Sequence, residues 1–214
     1  MSEKPTPTQA DESDIPVDAT KPDSPVDVQG VDHITLIGSN EEDTVHFYRD
    51  ILGMPLVLRQ PNLDAPDVTH LFFDAGDGRI VTFFVSDDRD SDDRPHRSGI
   101  GSVHHLAFSI DGERMAEIAE ALAEEGYHYN EFDRGAFHSL YTRDHNGLVI
   151  ELAADKFVIP DERRGEVLAR AHGNRLEAGA EYVKDEHMEA AIEELGLPVE
   201  KIDIPSAASG TAGL

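Results

Sequence analysis

A strand-like phrase occurs twice in this chain, and the repeat constrains the fold more than any other feature. Gly30-Val31-Asp32-His33-Ile34-Thr35-Leu36-Ile37 has the form of Gly101-Ser102-Val103-His104-His105-Leu106-Ala107-Phe108-Ser109-Ile110, with His33 falling where His105 falls. Both alternate as a strand does: Val103, His105, Ala107 and Ser109 share one face, and His104, Leu106, Phe108 and Ile110 the other. A lone strand histidine is most simply a packing residue. Two in equivalent places, both turned inward, predict a duplicated unit with a shared site between its copies.

The segments after each phrase repeat too. The first phrase leads to a cap, Ser39-Asn40-Glu41-Glu42, and then Val45, Tyr48, Ile51 and Leu52 at helical spacing up to Gly53. Strands are predicted at 55–60, 68–74 and 79–85, the last two joined by Ala75-Gly76-Asp77-Gly78. After the second phrase, Met115, Ile118, Ala119, Leu122 and Ala123 form one helix face that Gly126 ends. Strands are predicted at 127–132, 137–142 and 148–153, with Asn146-Gly147 as the turn signal before the last. Asp77–Thr82 aligns with Asn146–Glu151. The expectation is an α+β chain of two βαβββ modules, at 29–88 and 101–156, with a charged linker at 89–100.

The flanks read differently. Residues 1–28 are rich in Asp, Pro, Ser and Thr without apolar period, and are predicted to be a disordered acidic tail. Residues 157–214 are predicted to be a helical extension, with helices near 161–173 and 184–195. The chain has 44 acidic against 18 basic residues and a formal charge of −26. With only five lysines (Lys4, Lys21, Lys156, Lys184 and Lys201) this fits a protein working in concentrated salt, where self-repulsion is screened; an acidic mesophilic protein is the plainer alternative. Nucleic acid and anionic membranes are disfavoured as partners, because phosphate contacts need Lys and Arg clusters. The absence of cysteine excludes disulfides and thiolate metal sites. Without an apolar run of roughly 20 residues or a basic-then-apolar leader, the expected location is the cytoplasm.

The alignment of the two modules supplies a third residue. Glu151 stands in the last strand, and a carboxylate on an otherwise apolar strand is costly unless paired or metal-bound. Two imidazoles and a carboxylate, His33, His105 and Glu151, make the facial set that holds non-haem Fe(II) with open coordination positions. Thr82 occupies the matching place in the first module.

On these residues the stretch 29–155 resembles the vicinal oxygen chelate superfamily, whose paired βαβββ modules form a cupped mixed sheet around a divalent metal. The resemblance implies His33, His105 and Glu151 as ligands. Thr82 stands where glyoxalase-like members supply a fourth ligand, whereas ring-cleaving dioxygenases use three. Phe47–Gly53, Asn62-Leu63-Asp64, His70-Leu71-Phe72 and Asp133–Tyr141 are similar to the branch that includes hydroquinone dioxygenases. That branch implies Tyr141 as the group facing a substrate oxygen, Arg134 as a pocket-lining cation, and Thr35 and His104 as supporting residues. Strand parity turns His104 away from His105. Phe132 stands where many catechol-cleaving relatives carry a proton-donating histidine, which leaves catechols and hydroquinones both open. The expected function is therefore an Fe(II)-dependent dioxygenase, with Mn(II) the alternative metal, acting on an aromatic diol and dioxygen as a homo-oligomer. A glyoxalase-type lyase or isomerase and a non-catalytic binding module of the same fold are the competing readings.

Overall fold

The computed structural model of the protein describes residues 15–95 and 99–207. Residues 15–28 carry no helix or strand and are exposed throughout. The rest of the expected tail (1–14), part of the expected linker (96–98) and residues 208–214 lie outside the described residues.

In the first module β1 (His33–Ile37) leads into α1 (Glu41–Val45), and the chain continues through a π-helical segment at His46–Ile51. The Asn40 side chain accepts from the Asp43 amide at 2.8 Å, and three acids occupy the first turn, where the helix dipole favours them. The widened turn lets the Leu52 amide donate to the Phe47 carbonyl, five residues back, and packs Phe47 and Tyr48 with no exposed surface. Strands β2 (Leu56–Pro61), β3 (Thr69–Asp74) and β4 (Ile80–Val85) complete the unit. The second module repeats it with β5 (His105–Ser109), α2 (Met115–Glu124), β6 (Asn130–Asp133), β7 (Phe137–Arg143) and β8 (Val149–Asp155).

Each module is a four-stranded mixed sheet, ordered β1-β4-β3-β2 and β5-β8-β7-β6. The first and last strands of each module pair in parallel with the same register. His33 lies opposite Ile80 and Thr35 opposite Thr82, as His105 lies opposite Val149 and Ala107 opposite Glu151. The alignment of Thr82 with Glu151 is thus a structural equivalence as well as one of sequence.

Alternation then sorts the side chains. Leu71, Phe73, Val81, Phe83 and Val85 of the first sheet, and Leu106, Leu140, Ile150, Leu152 and Ala154 of the second, enter one hydrophobic cluster. The first helical segment packs against both modules. Phe47 meets Tyr127 edge to face at 5.1 Å, the Tyr48 hydroxyl donates to Asp144 Oδ2 at 2.9 Å, and Thr44 Oγ1 lies 3.1 Å from His145 Nε2. Asp144 is buried yet well satisfied, since its Oδ1 accepts from the amides of Asn146 and Leu148, both at 2.9 Å. Gly147 closes this turn at φ 75°, where a β-carbon would also lie 2.1 Å from the Arg94 carbonyl oxygen.

The two four-stranded mixed sheets are the α+β pair of βαβββ modules expected from the sequence. Both sheets apply one face to the shared core, so their other faces turn outward from it. His33 and His105 stand on these open faces and not in the interior.

The helices α3 (Arg164–Glu177) and α4 (Asp185–Glu194) form a hairpin in a separate compact unit with residues 15–24. Val167, Ala171, Met188, Ala191 and Ile192 are buried, and Arg170 pairs with Glu194 at 2.9 Å. The expected extension from 157 is not all one body. Phe157 bridges to Lys201, the Ile202 amide donates to the Lys156 carbonyl at 2.9 Å, and the Ala207 amide donates to Glu131 Oε2 at 2.9 Å, so residues 201–207 run along the second module. No helix among the described residues is long and apolar enough to cross a membrane.

Candidate metal centre

The centre assembles on the open face of the second sheet. Tyr141 on β7, Glu151 on β8 and Ala107 on β5 are cross-strand neighbours, so their side chains share a face, with His105 two residues before Ala107. His105 Nε2 lies 2.9 Å from Glu151 Oε2, while the Ser139 hydroxyl donates to Glu151 Oε1 at 2.7 Å. The carboxylate is 8% exposed and is held from both sides by these two groups. Burying it this way is acceptable only because each oxygen has a partner.

Around this pair stand the residues that the hydroquinone-dioxygenase motifs singled out. The Tyr141 ring meets His105 edge-on at 6.1 Å. The Arg134 guanidinium lies over the Phe132 ring at 4.6 Å and the Tyr141 ring at 5.1 Å, so its plane is fixed by stacking. Burial, and then the Glu151 carboxylate, raise the Tyr141 phenol above its ordinary value, with Arg134 pulling the other way. The phenol therefore keeps its proton at neutral pH and can donate. His104 precedes β5, and its Nδ1 lies 2.8 Å from His105 Nδ1, so it can fix the orientation of that ring.

His33 and Thr35 are elsewhere. They occupy the open face of the first sheet, where the buried Thr82 hydroxyl donates to Thr35 Oγ1 at 2.8 Å and His33 Nδ1 lies 2.6 Å from Asp32 Oδ1. The imidazole of His33 is half exposed. Among the described residues no group of three or more His, Cys, Asp or Glu side chains is gathered closely enough to hold a metal ion. Of the three residues that the repeat names, His105 and Glu151 are in contact, and His33 stands apart from them.

Ser139 escaped the sequence reading, and His70 entered it only within a motif, without a role of its own. Ser139 gives no signal by itself, because a serine inside an apolar strand has no distinctive spacing; only its position opposite Ala153, next to Glu151, reveals it. His70 lies on the open face with His33, its ring 4.0 Å from that of Phe72 and 4.4 Å from that of Phe84. Its Nε2 is enclosed without a hydrogen-bond partner, and burial and then His33 hold it below the ordinary histidine value. By contrast, His138 is on the other face of β7, bonded to Glu131 at 2.7 Å, as its alternation with Tyr141 predicts.

Comparison with known proteins gives one family. The model of the Glyoxalase/Bleomycin resistance protein/Dioxygenase superfamily matches residues 30–152. "Putative ring-cleaving dioxygenase MhqA" of Bacillus subtilis (strain 168) is 31% identical over 129 residues, which are 59% of this chain and 40% of that protein. "Putative ring-cleaving dioxygenase MhqO" of the same organism is 28% identical over 126 residues, 58% of this chain and 39% of the other. A crystal structure described as a "putative dioxygenase" from Bacillus subtilis superimposes with a TM-score of 0.52 at 28% identity, over 58% of this chain and 40% of that one. The chain spans about two-fifths of the length of these relatives.

Proposed function

We propose, on the premise that this chain belongs to the Glyoxalase/Bleomycin resistance protein/Dioxygenase superfamily, that it is a ring-cleaving dioxygenase dependent on a divalent metal. The family's members bind such metals. The observation that carries the reading is the convergence of His105, Glu151, Tyr141 and Arg134 on one sheet face. In this reading His105, Glu151 and His33 are the ligands, Fe(II) is the metal with Mn(II) as the alternative, and the substrate is a catechol or hydroquinone in an extradiol-type cleavage. Bound there, the metal would acidify the substrate phenol and bring it together with dioxygen.

The side chains divide the remaining work. Ser139 holds one oxygen of Glu151 in place and leaves the other toward His105. Tyr141, protonated and beside that pair, donates to the substrate oxygen as charge develops on it. Arg134 presents a fixed planar cation at the same edge, suited to negative charge on the opening ring. Phe132, 5.8 Å from Tyr141, offers a surface for an aromatic ring and no proton. The lyase reading is less well supported, because the place of its fourth ligand holds Thr82, a buried hydroxyl already bonded to Thr35.

The test is to load the protein anaerobically with Fe(II) and admit oxygen over a panel of catechols and hydroquinones. Oxygen uptake with ring-opened products containing both oxygen atoms is expected. Full metal loading with no uptake across the panel would overturn the reading.

A further inference from the structure

We propose that Lys156 is a positioning residue for the candidate centre: acting from the back of the second sheet through Asp133, it fixes the turn that presents Arg134. The inference deepens the dioxygenase reading and rests on it. It starts from a lysine in an unexpected place. Lys156 directly follows β8 and is 7% exposed, and among the described residues it is the one buried lysine of a chain that has only five. Its ammonium lies 2.8 Å from Asp133 Oδ2, and the Asp133 side chain is 55% exposed. Taking a cation out of water to meet a half-hydrated carboxylate adds little stability, and an apolar side chain of similar length would fill the space as well. What the pair adds is direction.

Alternation along β6 sets that direction. Phe132 lies opposite Ser139, on the face that carries Glu151, whereas Glu131 and Asp133 lie opposite Leu140 and His138, on the face turned to the core. Both back-face carboxylates are held. Glu131 accepts from the Ala207 amide at 2.9 Å and the Ser206 hydroxyl at 3.1 Å, and lies 2.7 Å from His138 Nε2. Asp133 takes Lys156 on Oδ2 and the Gly135 amide on Oδ1, the latter at 2.8 Å. The Arg134 amide closes the turn to β7 by donating to the Phe137 carbonyl at 2.8 Å. Arg134 therefore leaves a backbone clamped on both sides of it, while its guanidinium lies over Phe132 and Tyr141 on the opposite face. Stacking fixes the plane of this cation, and the Lys156–Asp133 pair fixes the base from which it reaches. Both are needed for a cation aimed at charge on a reacting ring, since a misplacement of about 1 Å can cost about 10²-fold in rate.

Lys156→Met tests this, because it keeps most of the side-chain length, removes the cation and leaves Asp133 to water. Amide hydrogen exchange followed by NMR is expected to quicken at Arg134 and Gly135 and to stay as in the wild type at Leu140 and Ile150. At equal Fe(II) content, oxygen uptake should fall in kcat by up to about 10²-fold. In an Arg134→Lys background the same substitution should add no further loss, because the group it positions is already gone. Asp133→Asn breaks the pair from its exposed partner and should give the same pattern, so a poorly folded Lys156→Met does not end the test. Unchanged exchange at Arg134 and Gly135 in both variants would overturn the role, as would a loosened turn with wild-type turnover. A loss equally large in the Arg134→Lys background would overturn it too, by making the pair a support of the fold alone. A fully loaded wild type that takes up no oxygen across the panel overturns the dioxygenase reading itself, and this role with it.

Discussion

In the proposed dioxygenase reading, Tyr141 is the residue that separates metal binding from turnover. It stands beside Glu151 and His105 without being needed as a ligand, and its phenol is held in the protonated form. Tyr141→Phe removes one donor and keeps the ring against which Arg134 and Phe132 pack. Metal content should be unchanged, and oxygen uptake at equal metal content should fall by about 10²–10³ in kcat, the scale of losing an oxyanion donor. Near-wild-type turnover would show that the hydroxyl has no part in the reaction. How much of this was legible in the sequence depends on the type of signal. His33, His105 and Glu151 emerge because duplication gives each a counterpart to be compared with. Tyr141 and Arg134 emerge from a motif. The surroundings of Ser139 and His70 are set by what lies across the sheet from them, and cross-strand neighbours follow from register, which strand alternation alone does not specify.

At the scale of elements, the turn between β7 and β8 joins the two modules. His145 in that turn is partly buried beside Thr44 and Asn146, and its enclosed Nδ1 has no partner among the described residues. Burial is the main cause that pushes this imidazole below its ordinary value of 6.5, with Asp144 and Asp43 opposing it. The unfolded chain therefore takes up the proton first as pH falls. Stability is unaffected well above 6.5 and declines as pH drops through 6.5 toward the folded value. Urea midpoints at pH 7.5 and 5.5 should show the loss, and His145→Gln, which cannot titrate, should narrow the difference between them. An equal difference in wild type and variant would remove His145 as the cause. The turn is legible as Asn146-Gly147, the first helix from its cap and Gly53, and the second from its apolar face and Gly126. The π-helical widening at His46–Ile51 was not, since spacing along the sequence does not distinguish it from an ordinary helix. Nor was the packing of the first helix against both modules: an apolar face says that a helix is covered, not by what.

For the molecule as a whole, charge and topology set the behaviour. A formal charge of −26 on the chain predicts a melting temperature that rises with salt, as the Debye length shortens from about 30 Å at 0.01 M to about 3 Å at 1 M. Thermal melts in dilute buffer and in molar KCl check this, and equal midpoints would remove the halophilic reading. Topology bears on the helical hairpin. Phe157 and Lys201 are paired, and directly beyond them the Val158 amide donates to the Glu200 carbonyl at 2.9 Å, so the chain leaves and re-enters the modules at one point. After re-entry Ile204 packs on the core and Ala207 bonds to Glu131. The hairpin is thus a cassette on a closed stem. Replacing 159–199 with a short glycine-containing turn should leave the eight-stranded body folded, with its tertiary circular-dichroism signature kept. A lineage could exchange this cassette for another without re-evolving the paired-module body, which makes the stem between Phe157 and Lys201 the natural seam for grafting a new module onto this fold.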